Sequence, residues 1–330
     1  MATSLTTNLI KTMRRSTPQR LVSFLVCSVL IICCAEGDAE ETDFSTHELT
    51  IAGTNDDKLQ ILARHLPAES PQAVVIISHG LGGSRHGYTY LSEGLAAAGF
   101  LVLHLQHTGS DNAVWEDVPR LQRLAALKNA ASGQQAIARM THVKQLLQAL
   151  LTWHKDQDHP LHQSIDLQRI AIAGHSFGSV TTLSMLGQRF GNLPAIKAPQ
   201  LKAGIALSPS PSRRGSNAEA FGRITTPILC ITGNQDTSII QERVTAASRE
   251  EVFAALPTGQ AYQLVYDEGK HGDFSDSQRN SSDHQSYIHR SLVPIAVDFL
   301  QAYLHNDQEA KVRLEAQRPE LREVDSWQWK

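Results

Sequence analysis

The sequence predicts an α/β fold in which a mainly parallel, twisted sheet of about eight strands carries helices on both faces. Short, continuous apolar runs recur along the chain, and such runs are typical of strands covered on both sides. Segments with helical periodicity lie between most of these runs. Strands that alternate with helices indicate parallel strands joined by crossover helices, and the simplest organisation is one domain.

The elements follow a regular order along the chain. Two strands around 47–52 and 59–65 flank turn-forming residues at 53–57 and predict a hairpin. The buried strands that follow are predicted at 73–78, 101–105, 170–173, 203–207, 228–231 and 262–266. Helices are predicted at 90–98, 137–153, directly after Ser176, at about 241–256 and at 292–304. In the second of these, one apolar face is formed by Ile137, Met140, Val143, Leu147, Leu150 and Leu151.

Residues 1–35 have the pattern of a signal peptide. Basic residues up to Arg20 precede an apolar run at 21–34, and the small residue Ala35 suits a cleavage site. The run is shorter than the roughly 20 residues of a membrane span. We therefore expect a protein that is exported, to the periplasm or the medium. The alternative is an uncleaved anchor that keeps the protein near a membrane.

The folded domain is expected at 36–304, followed by a charged tail at 305–330 that is either a surface helix or loose. Two insertions, at 111–135 and 209–226, are candidates for a lid or a pocket wall, because long loops often carry function. Cys230 is the one cysteine after residue 35, and it lies in an apolar run. It is expected in the core, with no disulfide inside the mature domain.

Composition argues against several functions. The formal net charge is −3, so no basic field favours nucleic acid. The 15 histidines are scattered rather than spaced as metal ligands, and His104 and His107 lack a third ligand. We expect neither a metal nor a cofactor.

The pentapeptide GHSFG at 174–178 is the strongest motif. It follows a predicted buried strand and leads into a helix, so the chain must turn sharply at Ser176. Flanking glycines keep side chains clear of the hydroxyl, and the helix N-terminus favours negative charge. Ser176 is therefore predicted to be a nucleophile.

A serine hydroxyl needs a base, and the base needs an orienting acid. His271 is the one histidine in the loop after the strand at 262–266, which we take as the last strand. Asp236 follows the preceding strand and would fix the tautomer of His271. His284 and His289 are the alternatives for the base, and for the acid they are Asp267, Glu268 and Asp273.

The loop HGLGG at 79–83 follows the strand at 73–78 and brings backbone amides close to the nucleophile. We assign the oxyanion hole to the N–H groups of Leu81 and Phe177. A dinucleotide-binding loop is disfavoured, because Arg85 stands where a third glycine is needed and the next strand ends without a carboxylate.

Neighbouring polar residues are candidates for the pocket lining. His79, His107 and His175 are the histidines closest to these motifs, although a loop histidine such as His107 is more often structural. Arg213 and Arg214 could contact an anionic substrate or simply be solvated.

With the motifs at 79–83 and 174–178, the chain resembles the platelet-activating-factor acetylhydrolase and predicted dienelactone hydrolase branch of the α/β-hydrolases, from about residue 73 to 304. The resemblance implies a cofactor-free serine esterase with the roles given above. Ser179 departs from the glycine found in many relatives, and Ser176 replaces the cysteine of true dienelactone hydrolases. Cutinases and chlorophyllases have similar elbows, so the substrate does not follow.

The function that these residues predict is hydrolysis of a carboxylic ester, EC class 3.1.1, through an acyl-enzyme on Ser176. The expected partner is a small-molecule or lipid-like ester. Two alternatives stay open at this point. The same triad could serve a peptidase, thioesterase or acyltransferase, and the fold could instead belong to a non-catalytic binding protein.

Overall fold

A nine-stranded sheet flanked by helices forms within residues 43–52, 58–276 and 282–330, which are the residues that the computed structural model describes. The strands are β1 (Ser45–Ala52), β2 (Lys58–His65), β3 (Gln72–Ser78), β4 (Leu101–Leu105), β5 (Ile165–His175), β6 (Leu201–Leu207), β7 (Ile228–Gln235), β8 (Ala261–Lys270) and β9 (Ser326–Trp329). The helices are α1 (Thr89–Ala97), α2 (Arg123–Ala130), α3 (Gly133–Trp153), α4 (Phe177–Met185), α5 (Asn217–Phe221), α6 (Ala246–Ala255), α7 (Asp283–Leu304) and α8 (Gln308–Leu314), with 3₁₀ turns at Asn112–Val114, Arg120–Gln122 and His271–Phe274.

The strand order is β1-β2-β4-β3-β5-β6-β7-β8-β9. Six neighbouring strands are mutually parallel, and in spatial order they are β4, β3, β5, β6, β7 and β8. The hairpin β1–β2 adds antiparallel strands at one edge, and β9 pairs antiparallel with β8 at the other. The prediction of a mainly parallel sheet is confirmed. In parallel strands the carboxyl ends share one edge, so the segments that follow β3, β5, β7 and β8 are brought together there.

Alternate residues of each central strand face two separate cores, as the period of two requires. In β3, Val74 and Ile76 belong to the core beneath α3 to α6, whereas Val75 and Ile77 belong to the core beneath α1, α7 and α8. Both cores are apolar and buried, so helices cover both faces of the sheet, as predicted.

The buried stripe of α3 is rotated relative to the prediction. Ile137 and Leu151 are exposed by 59% and 43%, and Arg139 and Leu146 are buried in their stead. An arginine within an apolar stripe looks like an interruption in the pattern. In the structure it is part of the stripe, because all three nitrogens of its guanidinium donate to oxygens inside the protein.

The C-terminal tail contains a surface helix, which is one of the two expectations for it, and also a strand that was not predicted. Residues 308–314 form α8, and residues 326–329 form β9, the strand that raises the count above eight. Trp327 stacks on Tyr262 of β8, with the ring centroids 5.8 Å apart, and its indole N–H donates to the Leu314 carbonyl at 2.9 Å. The end of the tail is therefore the edge strand of the sheet.

Helix α7 begins at Asp283, well before the predicted start at 292. Its first turns are polar in sequence, but Ser282 caps them by accepting from the Gln285 N–H, and Ile288 and Ser291 are buried. The predicted signal peptide at 1–35 and the hairpin turn at 53–57 lie outside the described residues. Among the helices that are described, none has the length and apolarity needed to cross a bilayer.

Cys230 lies on β7 and is fully buried, as predicted. Burial raises the pKa of its thiol to about 12, so it stays protonated at neutral pH. Cys230 therefore acts as a small core side chain.

The contact between α1 and α7 yields a stability prediction. A Cβ at Gly94 would lie 2.3 Å from the Val293 Cγ1 atom. We expect Gly94→Ala to lower the free energy of unfolding by about 1–2 kcal/mol, because this overlap outweighs the gain in helix propensity. Chemical denaturation measures the change.

Two further variants control this experiment. The Gly94→Ala exchange should cost much less in a Val293→Ala background, since the clash is then removed. At Gly133, in the first turn of α3, a Cβ would meet open space, so Gly133→Ala should be neutral or stabilising. Equal losses at both glycines would contradict the packing argument.

Candidate active site

The turn between β5 and α4 presents Ser176 at the carboxyl edge of the sheet. Ser176 has a φ of 56° and a ψ of −112°, a strained conformation for a residue with a side chain. A Cβ at Gly178 would lie 1.9 Å from the Ser78 carbonyl oxygen, and one at Gly174 would lie 2.2 Å from the Gly178 carbonyl oxygen. Glycine is therefore required on both sides of the serine, as the motif predicted.

Three side chains from separate strand ends form a hydrogen-bonded row. The Ser176 Oγ and His271 Nε2 atoms are 2.9 Å apart, and the His271 Nδ1 atom is 2.7 Å from the Asp236 Oδ1 atom. Because a carboxylate only accepts, Nδ1 carries the proton and Nε2 is left to accept from the serine hydroxyl. The structure thus brings together the three residues that the sequence singled out.

The alternative acids and bases are engaged elsewhere. Asp267 accepts from the Asn234 side chain, and Asp273 accepts from the Lys270 N–H. His289 stacks on Tyr90 with its Nε2 atom at the Asp273 carbonyl. His284 lies on the outer part of α7 near Arg322.

Asp236 is completely buried, and its environment favours the charged form. The Thr232 hydroxyl donates to it at 2.9 Å, and the Arg249 Nε atom lies 2.9 Å from Oδ1. Burial alone would raise the pKa of Asp236, but the hydrogen bond from His271 and the charge of Arg249 outweigh it and hold the pKa below its ordinary value. Asp236 is therefore ionised at neutral pH.

Arg249 was not identified from the sequence. It lies on α6, is 1% exposed, and also donates to the carbonyl oxygens of Ser208 and Pro209 at 2.8 and 3.1 Å. One signal was present. Arg249 shares a helical face with Val252 and Phe253, both buried, so it is a cation on the apolar side of a helix.

The glycine loop after β3 lies beside the nucleophile. Gly82 has a φ of 72°, its N–H donates to the Ser110 carbonyl at 2.9 Å, and its carbonyl accepts from the Trp115 indole at 2.7 Å. The neighbouring Leu81 lines the same cleft as Ser176 and Phe177. Phe177 opens α4, where an N–H has no partner within the helix. Both residues of the predicted pair thus line the cleft beside the serine, and the role of their amides stays a prediction.

The predicted pocket histidines lie behind the wall of the cleft. His79, His107 and His175 are at most 6% exposed. The His107 N–H donates to the His79 Nε2 atom at 3.0 Å, and the His107 Nε2 atom lies 2.8 Å from the Ser78 Oγ atom. The His175 Nδ1 atom accepts from the Tyr88 hydroxyl at 3.0 Å. Their rings pack between loops and support the site from behind, so the expectation that they line the pocket is wrong.

The cleft at Ser176 has a volume of about 50 Å³. Each insertion contributes to its wall, through Ala131 from the first and through Ser210 and Arg213 from the second. The segment 238–241 after β7 completes the wall, a role that was not predicted from the sequence. Within the described part of the chain, no three His, Cys, Asp or Glu side chains are grouped to hold a metal ion.

Comparison with solved structures agrees with this architecture. A ferulic acid esterase from Streptomyces cinnamoneus superimposes with a TM-score of 0.56, covering 82% of this chain and 92% of that one at 16% identity. A likeness at this identity establishes the fold, and the predicted α/β-hydrolase fold is confirmed.

Two curated relatives are platelet-activating factor acetylhydrolases. The protein of Cavia porcellus is 28% identical over 163 residues, which cover 41% of this chain and 34% of the relative. The protein of Bos taurus is 28% identical over 203 residues, which cover 52% of this chain and 42% of the relative. The matched part thus spans less than half the length of either relative.

Residues 62–235, more than half of the chain, match the family described as platelet-activating factor acetylhydrolase, isoform II. The match includes the glycine loop and the elbow serine and ends one residue before Asp236. The chain therefore belongs to the platelet-activating factor acetylhydrolase, isoform II, family of α/β-hydrolases.

Proposed function

We propose that the protein hydrolyses carboxylic esters through an acyl-enzyme on Ser176, with His271 as general base and Asp236 as its orienting acid. The observation that carries the proposal is the row from Ser176 through His271 to Asp236, with contacts of 2.9 and 2.7 Å. A hydroxyl gains nucleophilicity only when a base accepts its proton, and this base is already within reach.

In the acylation step, the Ser176 Oγ atom attacks the ester carbonyl carbon while the His271 Nε2 atom takes the hydroxyl proton. The carbonyl oxygen becomes an oxyanion facing the N–H groups of Leu81 and Phe177. When the tetrahedral intermediate collapses, its bond to the alcohol oxygen breaks, and the protonated His271 delivers its proton to that oxygen. The buried charge of Asp236 stabilises the imidazolium in between.

Deacylation repeats the sequence with water. His271 removes a proton from water, the hydroxide oxygen attacks the acyl carbon, and a second oxyanion occupies the same amides. Collapse breaks the bond to Ser176 Oγ, which recovers its proton from His271. The products are a carboxylic acid and the free enzyme, so no cofactor enters the balance.

The substrate is proposed to be a small-molecule or lipid-like ester. The names of the relatives support ester chemistry, since they are an acetylhydrolase and an esterase. The two insertions line the cleft through Ala131, Ser210 and Arg213, and we propose that they form its substrate-facing wall. The same chemistry could act on thioesters or amides. Rates measured on matched ester, thioester and amide substrates distinguish an esterase from a thioesterase or a peptidase.

The first prediction concerns the nucleophile. Ser176→Ala should lower kcat for a p-nitrophenyl ester by at least about 10⁴-fold, because the attacking oxygen is lost and only the remaining stabilisation is left. It should also abolish labelling by a fluorophosphonate. The matched control is Ser184→Ala. Ser184 lies on α4 about two turns after Ser176, and its hydroxyl donates to the Val180 carbonyl. This variant should keep both the esterase activity and the labelling. Labelling of the Ser176→Ala variant would place the nucleophile elsewhere.

The second prediction concerns the acid. Asp236→Asn should lower kcat by about 10⁴-fold, because an amide donor opposite Nδ1 favours the wrong tautomer of His271. The matched variant is Asp273→Asn, whose carboxylate accepts from the Lys270 N–H and not from His271, and it should stay within a few-fold of wild type. A near-normal rate for Asp236→Asn would show that another group orients the base.

We also propose that residues 1–35 direct export and are then removed near Ala35, on the pattern of the sequence. The intact mass of the protein recovered from its natural host should correspond to a chain that starts within a few residues of position 36. A membrane-bound product with an intact N-terminus would show instead that the segment remains as an anchor.

A further inference from the structure

Arg139 on α3 is a fully buried arginine directly behind the glycine loop. Its guanidinium donates to the carbonyl oxygens of His79 at 2.5 Å, Gly80 at 3.3 Å and Ser110 at 3.2 Å, and to the Ser110 hydroxyl at 2.8 Å. These acceptors are all uncharged oxygens on the two loops that follow β3 and β4. The arginine thus ties the glycine loop, which lines the cleft at the nucleophile, to the loop after β4.

The same guanidinium also contacts the second half of the predicted oxyanion hole. Its central carbon lies 4.5 Å from the centroid of the Phe177 ring, a cation–π geometry. Phe177 is the residue after the nucleophile, and its N–H is one of the two proposed donors. One side chain therefore touches both segments that supply those donors.

The contact at Gly80 acts on the peptide group that carries the other donor. The Gly80 carbonyl and the Leu81 N–H belong to one peptide unit. His79 also donates to that carbonyl, through Nδ1 at 2.7 Å, because its Nε2 atom accepts from the His107 N–H and is therefore unprotonated. The Gly83 N–H donates to the same carbonyl at 3.1 Å. Three donors, of which Arg139 is the charged one, polarise the peptide and make its N–H a stronger donor.

The Gly80 N–H is held as well. It donates to the Tyr88 hydroxyl at 3.0 Å, and this hydroxyl in turn donates to the His175 Nδ1 atom at 3.0 Å. Both sides of Gly80 are thus fixed, so the direction of the Leu81 N–H is set by a rigid frame. Arg139 is the one charged member of that frame.

The charge of Arg139 persists in the interior. Burial lowers the pKa of its guanidinium to about 9, partly opposed by Tyr88 and Asp111, and this still leaves it protonated at neutral pH. A buried cation satisfied by neutral oxygens is costly for folding, whereas it favours any negative charge that develops nearby.

We propose that Arg139 is a positioning residue of the oxyanion hole, which aligns the Leu81 and Phe177 amides and polarises the Gly80–Leu81 peptide toward the developing oxyanion. The inference rests on the proposed ester hydrolase function. It assigns Arg139 no contact with the substrate. Its effect on the rate acts entirely through the two amides.

Arg139→Met and Arg139→Lys test the proposal in the full-length protein. We expect Arg139→Met to lower the acylation rate constant for p-nitrophenyl acetate by about 10- to 100-fold, less than the loss of a whole donor. When acylation is much slower than dissociation of the substrate, KM approximates the dissociation constant. KM measured under this condition should change little, because the substrate ground state carries no oxyanion. Affinity for a boronic acid that forms a tetrahedral adduct on Ser176 should fall by a similar factor. Arg139→Lys keeps the charge and should recover part of both losses.

A matched control separates this role from stability. Arg318 is also a buried arginine, and it is paired with Asp298 and Glu320 outside the lining of the cleft. Arg318→Met should therefore lower the melting temperature with kcat per active site unchanged. Active sites are counted by endpoint labelling with a fluorophosphonate. If the Arg139 variants have fewer labelled sites but wild-type kcat per site, Arg139 is merely structural and the proposal is overturned.

The outcome for the wild-type protein distinguishes the two levels of inference. A wild-type protein that neither hydrolyses esters nor is labelled at Ser176 would overturn the proposed function, and with it this role of Arg139. A wild type that is active and labelled, together with Arg139→Met at unchanged acylation rate and boronate affinity, would overturn the role of Arg139 alone.

Discussion

The close approach of two backbone turns at the carboxyl edge of the sheet is the constraint on which the rest of the site depends. The elbow after β5 touches the end of β3 so closely that only hydrogen fits at Gly178 against the Ser78 carbonyl. This contact fixes the distance between the serine and the glycine loop. Ser176 accepts a strained φ in return, a cost of about 1–3 kcal/mol that the surrounding packing must offset.

Two helices place arginines at opposite sides of this turn. The positive charge of Arg249 from α6 balances the negative charge of Asp236, so Asp236, His271 and Arg249 together carry a net charge near zero. This group gains one positive charge when His271 is protonated. Arg139 from α3 lies behind the amides where negative charge would form. The two cations thus divide the electrostatic work, one on the proton side and one on the oxygen side. Each is tolerated in the interior because most of its N–H groups donate to buried acceptors.

Much of the fold and the positions of the site residues could be predicted, because they depend on local patterns. Apolar runs reported the buried strands, and the elbow glycines reported the turn at Ser176. Chain order then led to His271 and Asp236. The predictions that failed concern features that depend on tertiary contacts. The strand β9 lies in a charged tail and is defined by its pairing with β8, and His79 and His175 could be placed behind the cleft only once the loops were packed.

The two buried arginines could be predicted in part. Arg139 and Arg249 each break an apolar helical stripe, a visible signal, but most of their partners are backbone carbonyls of distant loops. Backbone acceptors leave no trace in the sequence, so the stripe can reveal a buried cation without showing what it binds. The rotation of α3 away from Ile137 follows from the same omission.

Cys230 has a practical consequence for chemical studies of the protein. It is the one cysteine among the described residues, it is enclosed in the central sheet, and the pKa of its thiol is raised to about 12. The thiolate is the nucleophile that attacks an alkylating reagent, so this sulfur reacts only when the sheet opens. The speed of its alkylation therefore reports global opening of the core. The rate of slow inactivation by such a reagent would measure the rate of unfolding. It would not show which side chain performs the chemistry.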